Sequence, residues 1–139
     1  MNRYLLDTNV VSELRKRKPH GAVLAWFGDL QEEQIFLSAV TLGELQAGVQ
    51  LTRAHDPQKT KDIERWLDQV AESYQIVPMD TAAFREWGRL MHGKGNELIE
   101  DGMIAASARV HGLIIATRNE RDFRRLDVQI LNPFTPLGS

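Results

Sequence analysis

Cysteine is absent from this 139-residue sequence. That single absence removes disulfides, thiolate nucleophiles, zinc-ribbon sites and iron–sulfur clusters. Long hydrophobic runs are missing too. The longest near the C-terminal end, Leu113-Ile114-Ile115-Ala116, is far short of the roughly 20 residues that cross a bilayer. The opening Met1-Asn2-Arg3-Tyr4 lacks the basic-then-apolar run of a secretory signal, so the expectation is a cytoplasmic protein with no membrane partner. Nor does charge of either sign dominate: 17 basic against 19 acidic side chains give a net charge of -2. General polyelectrolyte attraction to nucleic acid is therefore excluded, and any such contact needs a local basic patch. Repeats, linkers and low-complexity stretches are also lacking. What remains, 42% hydrophobic and 26% charged residues, is ordinary composition for one folded domain.

Along the chain, short apolar runs alternate with amphipathic stretches. Tyr4-Leu5-Leu6 reads as a buried strand ended by Asp7, followed by a helix from Thr8 to about Arg17 with Val10, Val11 and Leu14 on one face. Pro19 suits the first turn of a second helix carrying Val23, Leu24, Trp26 and Phe27. Ile35-Phe36-Leu37 is the next strand. Ser38 or Thr41 caps a helix striped by Leu42, Leu45 and Val49. Asp56-Pro57 opens a longer helix through Ile63, Trp66, Leu67 and Val70. Gln75-Ile76-Val77 forms a third strand, and Asp80 or Thr81 caps a helix with Phe84, Trp87 and Leu90. Gly93-Lys94-Gly95-Asn96 is loop-like. Residues 100–111 form an alanine-rich helix stopped by Gly112, followed by strands at Leu113 to Ala116 and Val128 to Leu131. Strands separated by helices predict a single α/β domain, a parallel sheet with helices on both faces.

In such sheets chemistry collects at the carboxyl ends of the strands. Asp7 sits there on the first strand, as does the group Asn119, Glu120 and Asp122 on the fourth. Glu44 lies between Leu42 and Leu45 rather than on a polar face, with Gly43 beside it to admit a close approach. Asp101 begins the apolar run Asp101-Gly102-Met103-Ile104-Ala105-Ala106. Each acid has a plain structural role open to it: Asp7 as a helix cap, Asp101 as a partner of the helix dipole at about 0.3–1 kcal/mol. Together they put several carboxylates on elements that converge on one sheet edge.

The segments Leu5 to Leu14, Leu37 to Leu45, Asp101 to Ala106 and Ala116 to Phe123 resemble the four motifs of PIN domains. The chain is most similar to VapC toxins of bacterial toxin–antitoxin pairs, including their FitB-like branch. The likeness runs from Asp7 to Leu131-Asn132-Pro133-Phe134, which gives residues 1–134 as the domain and 135–139 as a tail. It implies an α/β/α fold and an endoribonuclease that uses Mg²⁺ or Mn²⁺. It also implies a homodimer and inhibition by a VapB-like antitoxin, with DNA contacted only through that antitoxin. The family's acids fall on Asp7, Glu44 and Asp101. The fourth position falls on Asp122 for charge, with Asn119 as a neutral oxygen donor or water positioner, and Thr8 matches the hydroxyl beside the first acid.

Four carboxylates in one pocket repel: at an effective dielectric of 20 each pair about 4–5 Å apart costs roughly 3–4 kcal/mol. Protons or a cation must relieve this, so at least one carboxyl is expected above its usual pKa of about 4. All-oxygen donors without thiolate or imidazole select a hard cation. The four histidines (20, 55, 92, 111) are scattered, which argues against histidine acid–base chemistry. Arg118, Arg121, Arg124 and Arg125 flank the fourth motif and suit phosphate, while Arg15-Lys16-Arg17-Lys18 ends the first helix. Trp26, Trp66 and Trp87 fall on helical stripes, where core or dimer packing outweighs base stacking; Trp26 and Trp66 offer dimer surfaces. Two other functions compete. A haloacid-dehalogenase-type phosphatase also places an aspartate after its first strand, but needs another two residues on, where Asn9 stands. A non-catalytic PIN-like binding module would be expected to have lost acids that are all present here.

Overall fold

A computed structural model describes residues 1–136; the last three residues of the expected tail, 137–139, lie outside the described residues. Five strands, β1 (Tyr4–Leu6), β2 (Ile35–Ser38), β3 (Gln75–Val77), β4 (Ile114–Ala116) and β5 (Ile130–Leu131), form one sheet in the order β3-β2-β1-β4-β5. Every pairing is parallel; Leu5 stands opposite Phe36 on one side and Ile115 on the other. Among the described residues seven α-helices accompany them: α1 (Thr8–Arg15), α2 (Gly21–Gly28), α3 (Ala39–Arg53), α4 (Pro57–Ser73), α5 (Thr81–Leu90), α6 (Ile99–His111) and α7 (Glu120–Arg124). The α/β/α architecture expected from the alternation of runs is the one observed.

Strand periodicity sorts the side chains into two cores. Tyr4 and Leu6 face one layer with Val10, Val23, Trp26 and Val70 of α1, α2 and α4. Leu5 faces the other with Ile104, Ala105 and Phe123 of α6 and α7. Both sides of β1 are thus covered, which is why its three residues are all apolar and all buried. The chain moves from β1 outward through β2 to β3, then returns to lay β4 on the opposite side of β1. The boundary between β1 and β4 is therefore the point where connections leave in opposite directions, the place where open α/β sheets form a crevice.

Local capping follows the residue types. Ser38, rather than Thr41, caps α3 by accepting from the Val40 N–H at 3.0 Å, and Asp80, rather than Thr81, caps α5. Asp56 and Pro57 open α4 together. Gly112 stops α6 in the left-handed region at φ 66°, which leaves Leu113 N–H free to reach Ala108 O at 2.8 Å.

The differences from expectation have local causes. Helix α1 ends at Arg15, not Arg17, because buried Glu13 accepts from Lys16 Nζ and from the His20 N–H, both at 2.9 Å, and draws the chain off the helix. His20 Nδ1 then caps α2, which leaves Pro19 ahead of the helix rather than in its first turn. Helix α7 was not anticipated: five residues are too few to show a stripe. Strand β5 starts at Ile130, not Val128, since Asp127 turns the chain at φ 50°. Trp26 is buried edge-on against Tyr4, which removes it as a dimer surface. Trp87 donates to Ile99 O at 3.1 Å, and Arg15 sits over Trp66. Among the described residues no helix is long and apolar enough to cross a membrane.

Phe123 is fully buried and is the large side chain through which α7 enters the second core. Phe123→Ala should lower unfolding free energy by about 3–5 kcal/mol, whereas Phe84→Ala at a half-exposed ring should cost under about 1 kcal/mol. Urea denaturation midpoints of the two variants check this.

Candidate active site

Asp7 leaves β1 at its carboxyl end and caps α1. Its backbone N–H still pairs with Ala116 O at 2.9 Å, so β1 and β4 stay joined one residue past the strand. Its side chain is 5% exposed. Oδ1 accepts from the Thr8 N–H at 2.8 Å, and Oδ2 accepts from Thr117 Oγ1 at 2.8 Å and Asn9 Nδ2 at 3.1 Å. Burial pushes the Asp7 carboxyl above its ordinary pKa, and these three donors pull it back in part.

Thr8 joins Asp7 to the next acid. Its hydroxyl donates to Glu44 Oε1 at 2.9 Å and lies 3.1 Å from the buried Thr41 hydroxyl. Glu44 is half-buried, and its carboxyl is pushed up to about 7, first by burial, then by repulsion from Glu100 and Asp7 and by a hydrogen bond with Glu100, against the pull of Thr8. An open groove of about 560 Å³, lined by Val40, Gly43, Glu44, Ala47, Glu100 and Met103, leads to it. Gly43 borders open space rather than a neighbouring backbone.

The third and fourth acids meet through one amide. Asn119 caps α7, and its Nδ2 donates to Asp101 Oδ2 at 3.2 Å and to Asp122 Oδ2 at 3.1 Å. The expectation that Asn119 presents oxygen is corrected here: Oδ1 accepts from the Asp122 N–H at 3.4 Å, and the amide N–H groups face the carboxylates. Two anions 18 residues or fewer away in sequence leave only the donor end of the amide a favourable orientation. Burial raises the Asp101 carboxyl to about 6, with repulsion from Asp7, Asp122 and Glu100 adding to it. The raised pKa expected of the cluster is present at three acids, with burial rather than mutual repulsion as the largest cause at each.

All six residues singled out by sequence thus lie at this edge: Asp7, Thr8, Glu44, Asp101, Asn119 and Asp122. Three others escaped the sequence reading. Thr117, fully buried, gives its proton to Asp7 and accepts from the Asn119 N–H at 2.9 Å and from Asn9 Nδ2 at 3.3 Å. Asn9 spans back to the fourth motif by accepting from the Arg118 N–H at 3.1 Å. Glu100 adds charge beside Glu44. The available signal for Thr117 was its place directly after β4, the mirror of Asp7 after β1. A larger cavity, about 580 Å³, lies by Ile35 and Gln75 at the amino ends of β2 and β3, away from every one of these acids.

The donor set suits a hard divalent cation in chemistry and charge: the available donors are carboxylate and hydroxyl oxygens, and the carboxyls of Glu44 and Asp101 are raised to about 7 and about 6. As placed, no three carboxylate or imidazole side chains among the described residues are close enough to share one ion, since hydroxyls and the Asn119 amide separate them.

A family model for the PIN domain matches residues 4–129. The chain belongs to the PIN domain family. It is 37% identical over 138 residues to "VapC ribonuclease Y4jK" of Sinorhizobium fredii, covering 95% of this chain and 98% of that protein. It is 36% identical over 138 residues to "Toxin FitB" of Neisseria gonorrhoeae, covering 94% and 97%. Among solved structures, FitAcB from Neisseria gonorrhoeae superposes with a TM-score of 0.83 at 34% identity, covering 94% of this PIN domain chain and 98% of that chain. FitAB bound to an IR36 DNA fragment gives the same TM-score at 32% identity, covering 95% and 96%.

The raised carboxyls fix how stability depends on pH without metal. The folded state holds protons at Glu44 and Asp101 more tightly than the unfolded chain does. Their stabilising share is complete below the unfolded pKa of about 4 and is lost as pH rises through about 6 and 7. Between pH 5 and 8 in chelator the loss should be on the order of 1–2 kcal/mol, allowing for solvent screening of these partly exposed groups. Glu44→Gln keeps an acceptor for Thr8 and offers a donor to Glu100, so its urea midpoint should exceed the parent's at pH 8 and change less between pH 5 and 8.

Proposed function

We propose that this chain is a ribonuclease toxin of a VapBC-type toxin–antitoxin pair, acting in the cytoplasm as an Mg²⁺- or Mn²⁺-dependent endoribonuclease. The observation that carries this reading is the convergence of Asp7, Glu44, Asp101 and Asp122 at the carboxyl edge of β1 and β4, with Glu44 and Asp101 held above their ordinary pKa values. The names of the two relatives, a VapC ribonuclease and a toxin, support it. Residues 1–134 act as the catalytic domain.

In this reading Asp7, Glu44, Asp101 and Asp122 would hold the cation. Bound there, it would supply the positive charge that in-line displacement at a phosphodiester requires and would make water more acidic. The protein's own groups do the rest. Thr117, Asn9 and the Thr8 N–H orient Asp7, while Thr8 holds Glu44. Asn119 keeps Asp101 and Asp122 together. Glu44, titrating near neutrality, is placed to hold or release a proton at Oε2, since Oε1 is taken by Thr8. Neither competing function fits as well. Asn9 occupies the position where the phosphatase needs an acid and grips Asp7, and a non-catalytic module has no use for four retained carboxylates.

The partner is a VapB-like antitoxin that covers the acidic edge with a basic or apolar side chain, and DNA is met only through it; that solved relatives are toxin–antitoxin complexes, one of them FitAB bound to a DNA fragment, supports such a partner. The chain itself pairs as a homodimer, for which light scattering at micromolar concentration should give twice the monomer mass.

Expression of the chain alone should arrest growth of a bacterial host, and Asp7→Asn, produced at equal level, should not. In vitro the same substitution should reduce RNA cleavage by more than the roughly 10–100-fold typical of losing an outer-shell partner. Chelator should stop the parent's cleavage and Mg²⁺ or Mn²⁺ restore it. Equal toxicity of parent and variant would remove Asp7 from the site.

A further inference from the structure

The C-terminal turn Asn132-Pro133-Phe134 lies beyond residue 129, where the family match ends, yet it reaches the rim of the acidic pocket. Asn132 is tied in two directions. Its amide donates to Glu120 Oε2 at the start of α7 at 3.1 Å, and its Oδ1 accepts from the Phe134 N–H at 2.9 Å. This turn carries the Phe134 ring to the His20 imidazole, edge-on at 5.5 Å between centroids, and to Arg118, whose guanidinium carbon lies 3.8 Å from the ring centroid. A guanidinium over an aromatic face is held by the ring quadrupole.

Arg118 also occupies a telling place in the chain. Its neighbours are Thr117, which grips Asp7, and Asn119, which grips Asp101 and Asp122. Its own N–H is fixed by Asn9 Oδ1. Both ends of the residue are therefore pinned, while 57% of its side chain stays exposed. Glu13 lies 3.9 Å away, beyond hydrogen-bond distance, and its oxygens accept from Lys16 and the His20 N–H at 2.9 Å, so it attracts Arg118 without occupying the guanidinium's N–H groups.

The other arginines of the rim differ. Arg124 is committed to Glu120 at 3.1 Å, and Arg125 lies between Glu97 at 3.3 Å and Asp122 at 3.9 Å. Arg121 is exposed and has no ion-pair partner among the described residues, so nothing fixes it. A phosphate taken by Arg124 or Arg125 competes with a carboxylate, and one taken by Arg121 must immobilise a free side chain. Arg118 offers a fixed cation whose in-plane N–H fork remains open to two phosphate oxygens.

We infer that Arg118 binds a phosphate of the RNA strand beside the carboxylate pocket, and that Phe134 is a positioning residue that holds the guanidinium there. The inference rests on the nuclease reading above and assigns it a substrate-binding residue.

Fluorescence anisotropy of the full chain with a labelled single-stranded RNA oligonucleotide, in chelator and across a KCl series, tests it. Arg118→Gln should bind five- to tenfold more weakly at low salt and reduce the slope of log affinity against log salt by about 0.7, the share of one phosphate contact on a single strand. Its thermal shift with Mn²⁺ should match the parent's, which a loss of pocket structure would not allow. Arg118→Lys should keep the slope and lose two- to threefold. Phe134→Leu, which keeps the charge and the apolar bulk, should weaken binding with the slope unchanged, and Phe134→Trp should restore it. Parental affinity and slope in Arg118→Gln overturn the assignment, even if that variant melts lower. If Arg118→Gln fails to fold, parental binding by both Arg118→Lys and Phe134→Leu overturns it equally. A parent that neither binds nor cuts RNA overturns the nuclease reading itself, and this assignment with it.

Discussion

Asp7 is a carboxylate buried between two strands of a parallel sheet, and the arrangement of the acidic edge follows from keeping that group satisfied. A buried carboxylate without donors would abandon its charge or the fold. Here the donors come from three sources: the first turn of α1, the side chain of Asn9, and Thr117 at the end of β4. Because Thr117 directly follows a different strand, β4, the satisfaction of Asp7 requires that β1 and β4 be neighbours. The sheet order β3-β2-β1-β4-β5 provides this. Thr117 then also accepts from the Asn119 N–H, so the same hydroxyl sets the start of α7 and, through Asn119, the spacing of Asp101 and Asp122.

The chain of polar contacts spaces the four acids along one sheet edge. Thr8 and Asn119 each stand between a pair of carboxylates and donate to them, so repulsion is softened before any ion arrives. What remains is mostly the cost of burial. It appears as the upward shifts at Asp7, Glu44 and Asp101, whereas Glu13 and Glu86, held by Lys16 and by Arg89 and Arg109, shift the other way. The contrast separates the buried carboxylates of the acidic edge from those held in ion pairs, in a chain where both kinds are present.

The rim follows a different rule from the pocket. Arginines beside the fourth motif gave one undifferentiated basic cluster in the sequence, but the fold divides them. Two enter local ion pairs, one has no ion-pair partner among the described residues, and one, 3.9 Å from Glu13, is stacked on a ring brought from the C-terminal turn. Local charge density does not distinguish a structural arginine from one available to a ligand; the partner that each one meets does.

The sequence by itself determined the strands, the two-layer helix cover and the four acidic positions. These follow from local periodicity, from caps such as Asp56-Pro57 and Ser38, and from a run of apolar residues ending abruptly in Asp7. It also carried the motif set that identifies the family. It did not determine where α1 ends, because Glu13 is satisfied by groups that reach it only after the chain has turned. It did not determine the role of Thr117 or Asn9, nor which end of the Asn119 amide faces the acids. Those depend on partners up to 110 residues away, and hydrogen bonds over such separations leave no periodic trace in a sequence. Trp26 shows the same limit: its helical position is legible, but only packing against Tyr4 decides that it is core and not surface.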